Sequence, residues 1–336
     1  MKSKVSLVKS EEHYKGVQDT LLNIKEDIVN SLSNISSLVI KVNIVVAKTK
    51  GYPKGVELAT TPIGAVKSFI DFISPFYKKE IIIAERSAWG ITKEGFELHG
   101  FTKLAQENMQ VKLLDLKDDP IIEKTITYPK GKLVLPFSKT MLEAPFLVSI
   151  VRPKTHCDVR FTAAIKNVLV GGINGSWECR LQIHKGEYVH NILTSIADLI
   201  YPHLTIIDGT IAMEGNGPIM GNKNKAGWSL SSFDALAADT LAVHLMGFNV
   251  NDIKYLKMLK EKKVGLCFPD KKIEILGEKP KTLISAFKPH HKFRKKAINK
   301  TEIKQQKTTQ KKSIIYKISK RKVDLKKDKS KTSKNP

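Results

Sequence analysis

At 336 residues and 41% hydrophobic, the chain can bury one large core or two modest ones, and its 27% of charged residues is an ordinary share for a folded protein. The formal net charge of +24 is uneven: residues 289–336 hold roughly 18 Lys and Arg against about 3 acids, so most of the excess sits in one tail. Cys157, Cys179 and Cys267 are too far apart for a zinc or iron–sulfur ligand set, and no stretch has the character of a secretory signal or a membrane-spanning helix. These features exclude a disulfide framework and predict a reduced, cytoplasmic protein away from membranes.

In chain order, residues 10–32 place Val17, Leu21, Ile24 and Ile28 at three-to-four spacing, which predicts a helical N-terminal segment over residues 1–35. Residues 38–47 are a β-branched run of strand character. A loop with Gly51, Pro53 and Gly55 then leads to a helix, with Thr61 as cap and Pro62 in its first turn. Residues 81–84 read as a strand buried on both faces, residues 94–107 as a helix and residues 111–115 as a strand. The second half repeats the alternation. It offers a strand at 146–151, a helix at 159–170 ended by Gly171 and Gly172, and a helix at 189–200. A strand at 204–208, a helix at 233–246 and a strand at 272–276 follow. Strands alternating with helices predict an α/β domain over residues 36–288, its largely parallel sheet flanked by helices on both faces. Residues 289–336 dissolve into Lys, Thr, Gln and Ser and read as a disordered basic tail.

Two stretches carry chemistry. Residues 151–172 end a strand, place Lys154, Thr155 and His156 in a short loop, and let Asp158 cap the next helix. Ligands of open α/β sheets sit beyond the carboxyl ends of strands, and a helix N-terminus adds free N–H groups and partial positive charge. Thr162 and Lys166, four apart, would share a helical face. Lys166 and Asn167 interrupt an apolar helix, where an ammonium and an amide are costly without partners. The pattern predicts a pocket for a carboxylate or phosphate, bound by Lys154, Thr162, Lys166 and Asn167, with His156 moving protons near neutral pH. The competing reading is a capped surface helix whose Lys166 reaches into solvent.

Residues 208–221 run from a strand into a loop with Gly209, Gly215, Gly217 and Gly221, which lets backbone approach a ligand. Asp208 and Glu214 could act as acid and base, or hold a divalent cation such as Mg²⁺; a plain turn-rich connection is the alternative. The stretch is neither a phosphate-binding P-loop nor a dinucleotide fingerprint. Asp234 reads as a first-turn acid, while Asp239, among Ala237, Ala238, Leu241 and Ala242, calls for a partner. His184 and His190, near Glu178 and Glu187, match no standard metal spacing and read as mobile-loop histidines, so no metal site is assigned.

Pro153-Lys-Thr-His156, Phe161-Thr162 and Ile165-Lys-Asn167 through Gly171 resemble the central signature of the family catalogued as domain of unknown function 362. Supporting matches run in order over residues 38–278, among them Lys41-Val-Asn43, Thr60-Thr-Pro62, Ala84-Glu85, Gly100-Phe101 and Met213-Glu-Gly-Asn-Gly-Pro218. The resemblance implies an α/β fold with a site around Lys154, His156, Lys166, Asn167, Asp208 and Glu214. Some relatives carry an attached ferredoxin-like segment with clustered cysteines; this chain has none, so no iron–sulfur cluster is implied. It also departs from the pattern, with Val42 where proline is common and Arg86 after Glu85 where glycine is usual.

The leading expectation is an enzyme acting on a small anionic metabolite, with His156, Glu214 and Asp208 catalytic and the backbone of Gly215 and Gly217 close to the substrate. Its rivals are a protein that binds nucleic acid non-specifically through residues 289–336, and a non-catalytic carrier of a ligand or metal. Oligomeric state stays open.

Overall fold

The computed structural model describes residues 2–47, 55–184 and 186–294. The loop expected around Gly51 and Pro53, and the basic tail beyond residue 294, lie outside them. The first element is a strand, β1 (Ser3–Lys9), which the sequence pattern conceals because its fully buried residues include Ser6 beside Val5 and Leu7. Two short helices follow instead of one, α1 (His13–Leu22) and α2 (Lys25–Leu32), separated where Ile24 leaves helical geometry at φ −123° and ψ 24°. Next come β2 (Ser37–Lys41), α3 (Ile63–Ile73) and β3 (Glu80–Glu85). The helix expected over residues 94–107 is also split, into α4 (Thr92–Leu98) and α5 (Phe101–Glu107), because Gly100 takes φ +83°. That conformation suits glycine and ends a helix.

After β4 (Val111–Asp115) a hairpin, β5 (Ile121–Tyr128) and β6 (Gly131–Ser138), precedes the single turn α6 (Lys139–Leu142). Then come β7 (Leu147–Val151), β8 (Lys154–His156), β9 (Arg160–Thr162), α7 (Ala164–Gly171), α8 (Trp177–Ile183) and α9 (Val189–Ile196). The chain continues through β10 (Leu204–Gly209), β11 (Ala212–Asn216), β12 (Met220–Asn224) and β13 (Trp228–Ser232). It closes with α10 (Ala235–Leu245), α11 (Lys254–Glu261) and β14 (Ile273–Gly277). Among the described residues no helix is long and apolar enough to cross a membrane.

Eight strands form one sheet in the order β14-β1-β13-β10-β7-β2-β3-β4, parallel except where β13 pairs with its neighbours. Strand side chains alternate between faces. Leu38, Ile40, Ile81 and Ile83 pack with Phe69 of α3 and Phe101 of α5 on one face. Val39, Leu147 and Ile207 pack with Val168 of α7, Ile192 of α9 and Leu241 of α10 on the other. The same alternation puts Lys41 on the α7 face with Val39. Gly171 makes room for it: a Cβ there would lie 2.3 Å from Lys41 Cε.

The order of strands decides where a ligand can enter. Crossovers carry the chain from β2 to β3 to β4 toward one edge; the chain then returns to the opposite side of β2 as β7. Winding reverses between β2 and β7, and open sheets leave a crevice at the carboxyl ends of such a pair. Only two residues separate β7 from β8, which belongs to a smaller sheet, β12-β11-β8-β9. There Met213 pairs with Lys154 and Lys154 with Thr162. The segments near residues 155 and 213 therefore share one rim.

Candidate functional site

A cavity of about 150 Å³ opens at this rim, beyond β2, β3 and β7. Among the described residues, Lys41, Arg86, Lys154, Lys166 and Arg180 contribute five basic side chains to its wall, against one carboxylate, that of Glu85. Glu85 is already committed. It accepts from Lys41 Nζ at 2.8 Å, with the two side chains 1% and 4% exposed, and from the backbone N–H groups of Ile44 (2.9 Å) and Arg86 (2.6 Å). The remaining cations face a cavity with little compensating charge.

A polar chain links the strand ends. Lys154 Nζ donates to Asn43 Oδ1 (2.5 Å) and to the Ala59 carbonyl (2.8 Å). Asn43 Nδ2 donates to Asn167 Oδ1 (3.2 Å), and Asn167 Nδ2 donates to the Lys41 carbonyl and to Ser149 Oγ, both at 3.1 Å. Asn167 thus spends its amide on the frame and holds Asn43 and, through it, Lys154. Thr61 does not cap α3, whose N-cap is Pro62. Its hydroxyl donates to the Ile150 carbonyl (2.8 Å) and accepts from Asn43 N–H (2.9 Å), tying β2 to β7.

Lys166 differs from its neighbours. It is 7% exposed and lines the cavity, yet no described residue gives its ammonium a hydrogen bond or ion pair. Burial pulls its pKa down to about 8, despite the attraction of Asp158 and Cys157. Burial, followed by repulsion from Arg152 and Lys166, takes Lys154 lower, to about 7. Both lysines can exchange protons near neutral pH.

His156 Nδ1 accepts the backbone N–H of Asp158 at 3.1 Å, so the ring proton resides on Nε2. Burial, reinforced by Lys166, holds its pKa well below the usual 6.5, and the ring is neutral. The neutral ring offers its Nε2–H as a hydrogen-bond donor. His184, read from sequence as a mobile-loop histidine, is the C-cap residue of α8. It lines the same cavity and stacks on His156 with centroids 6.1 Å apart and planes 7° apart. Its Nδ1 bonds the Arg180 carbonyl (3.0 Å), which leaves the lone pair on Nε2. His190 sits in α9 and does not line this cavity. His156, Cys157 and Asp158 hold ligand atoms within 4.8 Å of one another and are the group among the described residues that could take a metal ion. A metal on His156 Nδ1 would have to displace the Asp158 N–H.

Two local expectations need correction. The helix begins at Ala164, not Val159: Arg160 adopts φ +68° and residues 160–162 pair with β8. Thr162 reaches the cavity from a strand, so helical spacing does not relate it to Lys166. Nor does Asp158 cap α7, or a ligand meet its N-terminus. The free N–H groups of Ala164 and Ile165 bind the Asp239 carboxylate at 3.0 and 3.2 Å. That contact answers the need for a partner at Asp239, whose burial raises its pKa to about 7 against the pull of the two amides.

Lys154, His156, Thr162, Lys166 and Asn167 all line the cavity; Asp208, Glu214, Gly215 and Gly217 do not. Asp208 is fully buried and meets His13 Nδ1 (2.5 Å), Thr210 N–H (3.0 Å) and Ser229 Oγ (3.3 Å). Glu214 Oε2 accepts from Asn224 Nδ2 (2.9 Å) and from the backbone N–H of Lys288 (3.0 Å). The two carboxylates share no partner among the described residues. Gly215 N–H donates to the Lys288 carbonyl (2.7 Å), and His291 N–H to Asn216 Oδ1 (3.3 Å), so residues 288–291 lie beside β11. A Cβ on Gly217 would lie 2.1 Å from the Thr155 carbonyl oxygen, and this close packing brings Pro218 into the cavity wall. Sequence reading missed Arg86, Arg180 and His184 because no local pattern announces that remote segments will meet. Lys41 and Glu85 carried a weak signal, two charges placed at the ends of apolar strands.

The family described as Domain of unknown function (DUF362) has a model that matches residues 38–244, more than half of the chain. The protein belongs to this DUF362 family. The matched region contains every cavity residue named above. Thylakoid-associated protein sll1697 of Synechocystis sp. is 27% identical over 170 residues, covering 48% of this chain and 52% of that relative. The chain therefore spans about half the length of this curated relative. Among solved structures, the lactate racemase apoprotein of Thermoanaerobacterium thermosaccharolyticum is similar at 16% identity with a TM-score of 0.40. That likeness covers 63% of this chain and 50% of the other.

Proposed function

We propose that this DUF362 protein is an enzyme acting on a small anionic metabolite, a carboxylate or a phosphate, held in the cavity between the ends of β2 and β7. The Lys166 ammonium, 7% exposed and with no hydrogen bond or ion pair to any described residue, carries the reading. Burying an ammonium that no counter-charge contacts costs several kcal/mol, and a bound anion supplies that contact. Nearby cations add to the attraction. A cavity of this volume holds a group of about six non-hydrogen atoms, the size of a benzene ring.

Acid–base work then divides among residues already in place. Lys166 receives the anion. Lys154, tethered to Asn43 and poised near pH 7, gives or takes a proton. His156 donates its Nε2–H to a substrate oxygen, while His184 offers a lone pair. Asp208 and Glu214 hold the frame, Asp208 orienting His13 and Glu214 fastening the chain around Lys288. Calorimetric titration of the full chain with phosphate and with short carboxylates tests the proposal. The wild type should bind at least one class, and Lys166→Met should weaken it by about tenfold or more. Equal affinity in the variant would reject it.

A further inference from the structure

A second hollow, of about 340 Å³, adjoins the first, and Arg86 and Ala88 line both. It lies beyond the ends of β3 and β4, one strand farther from the point where winding reverses. Its chemistry differs from that of the anion cavity. Lys93 and Asp118, both in its wall, pair with each other at 2.9 Å. Asp115, 8% exposed at the end of β4, uses one oxygen to accept the Lys117 N–H at 3.0 Å. The other oxygen has no partner among the described residues. Ser87 is 9% exposed, and its buried Oγ has no hydrogen-bond partner among the described residues.

A carboxylate repels an anionic group but accepts hydrogen bonds from hydroxyls, and a free serine hydroxyl can both donate and accept. We propose that this hollow is a second subsite that binds the hydroxylated part of a ligand whose anionic head occupies the first cavity. Such a ligand is a polyhydroxylated phosphate or carboxylate, with Asp115 and Ser87 bonding its hydroxyls and Arg86 between head and tail. The assignment rests on the anion-binding reading of the first cavity and narrows the substrate class.

The test uses the full chain and matched pairs of ligands: ethyl phosphate against ribose 5-phosphate, and propionate against gluconate. In at least one pair the hydroxylated member should bind about tenfold more tightly, the worth of one or two hydrogen bonds to a charged group. Asp115→Asn and Ser87→Ala should each shrink that advantage. Asp115 also braces the turn at Lys117, so Ser87→Ala, which removes a single oxygen, guards against a folding artefact. Equal affinities within both pairs, with anion binding intact and still dependent on Lys166, would overturn the second subsite and leave the first cavity's role standing. So would variants that weaken both members of a pair alike. Absence of any anion binding would overturn the underlying reading and this inference with it.

Discussion

The role proposed for Lys166 makes anion binding depend on pH. An anion needs its ammonium form, so affinity should fall as pH rises through about 8, and binding near that pH should draw a proton from the buffer. Titrations in buffers of different ionisation enthalpy would measure that proton; a binding enthalpy independent of buffer would contradict the role. Stability should move the other way. With its pKa lowered from 10.5, Lys166 is deprotonated in the folded chain over a window where the unfolded chain still holds the proton. The empty protein should gain stability between about pH 8 and 10.5, to which Lys154 also contributes, and Lys166→Met should lose the Lys166 share of that gain in denaturant unfolding. At this scale much of the site was legible. Lys166 and Asn167 stand out because they interrupt an apolar helix, and Lys154 and His156 because they follow the end of an apolar strand. Their roles were less legible, because the partner that spends the Asn167 amide or fixes the His156 proton is a backbone group that no sequence pattern displays.

Among elements, α7 carries the argument, since it presents both Lys166 and Asn167. Its N-terminus is satisfied by Asp239 of α10, so Asp239→Ala should leave two buried N–H groups unpaired and destabilise the fold by about 2 kcal/mol. Thermal or denaturant unfolding would register the change. The Lys41–Glu85 pair joins β2 to β3 under the same helix. Lys41→Met should cost about 3–5 kcal/mol by stranding a buried carboxylate, and adding Glu85→Gln should recover part of the loss. A double variant as unstable as the sum of both single ones would show that the pair is not coupled. The alternation of strands and helices was readable because apolar runs of strand and helix length differ in period. The start of α7 was not: Arg160 with φ +68° is a conformation that no local propensity demands, and it follows from the pairing of β9 with β8. The strands β1, β5 and β6 escaped because their burial is partial or shared with polar residues.

For the molecule as a whole, topology brings the site together. Cavity residues from β2, β3, β8, β9, α7 and α8 are distant in sequence and meet because winding reverses between β2 and β7. Residues 288–293 are fastened to the smaller sheet, with Phe293 stacked on the Arg160 guanidinium at 4.2 Å and Lys288 tied to β11. A chain ending at residue 294 should therefore keep anion binding, whereas one ending at residue 284 should lose stability. Any salt-sensitive retention on nucleic acid should disappear with residues 295–336. Persistence of that retention in the shorter chain would move nucleic-acid binding onto the α/β domain. The proposed anion site depends above all on Lys166. Its side-chain pKa, followed by carbon-13 resonance in the full chain, should lie near 8 and rise when phosphate or a short carboxylate is added. A value near the ordinary 10.5, unmoved by either anion, would contradict it.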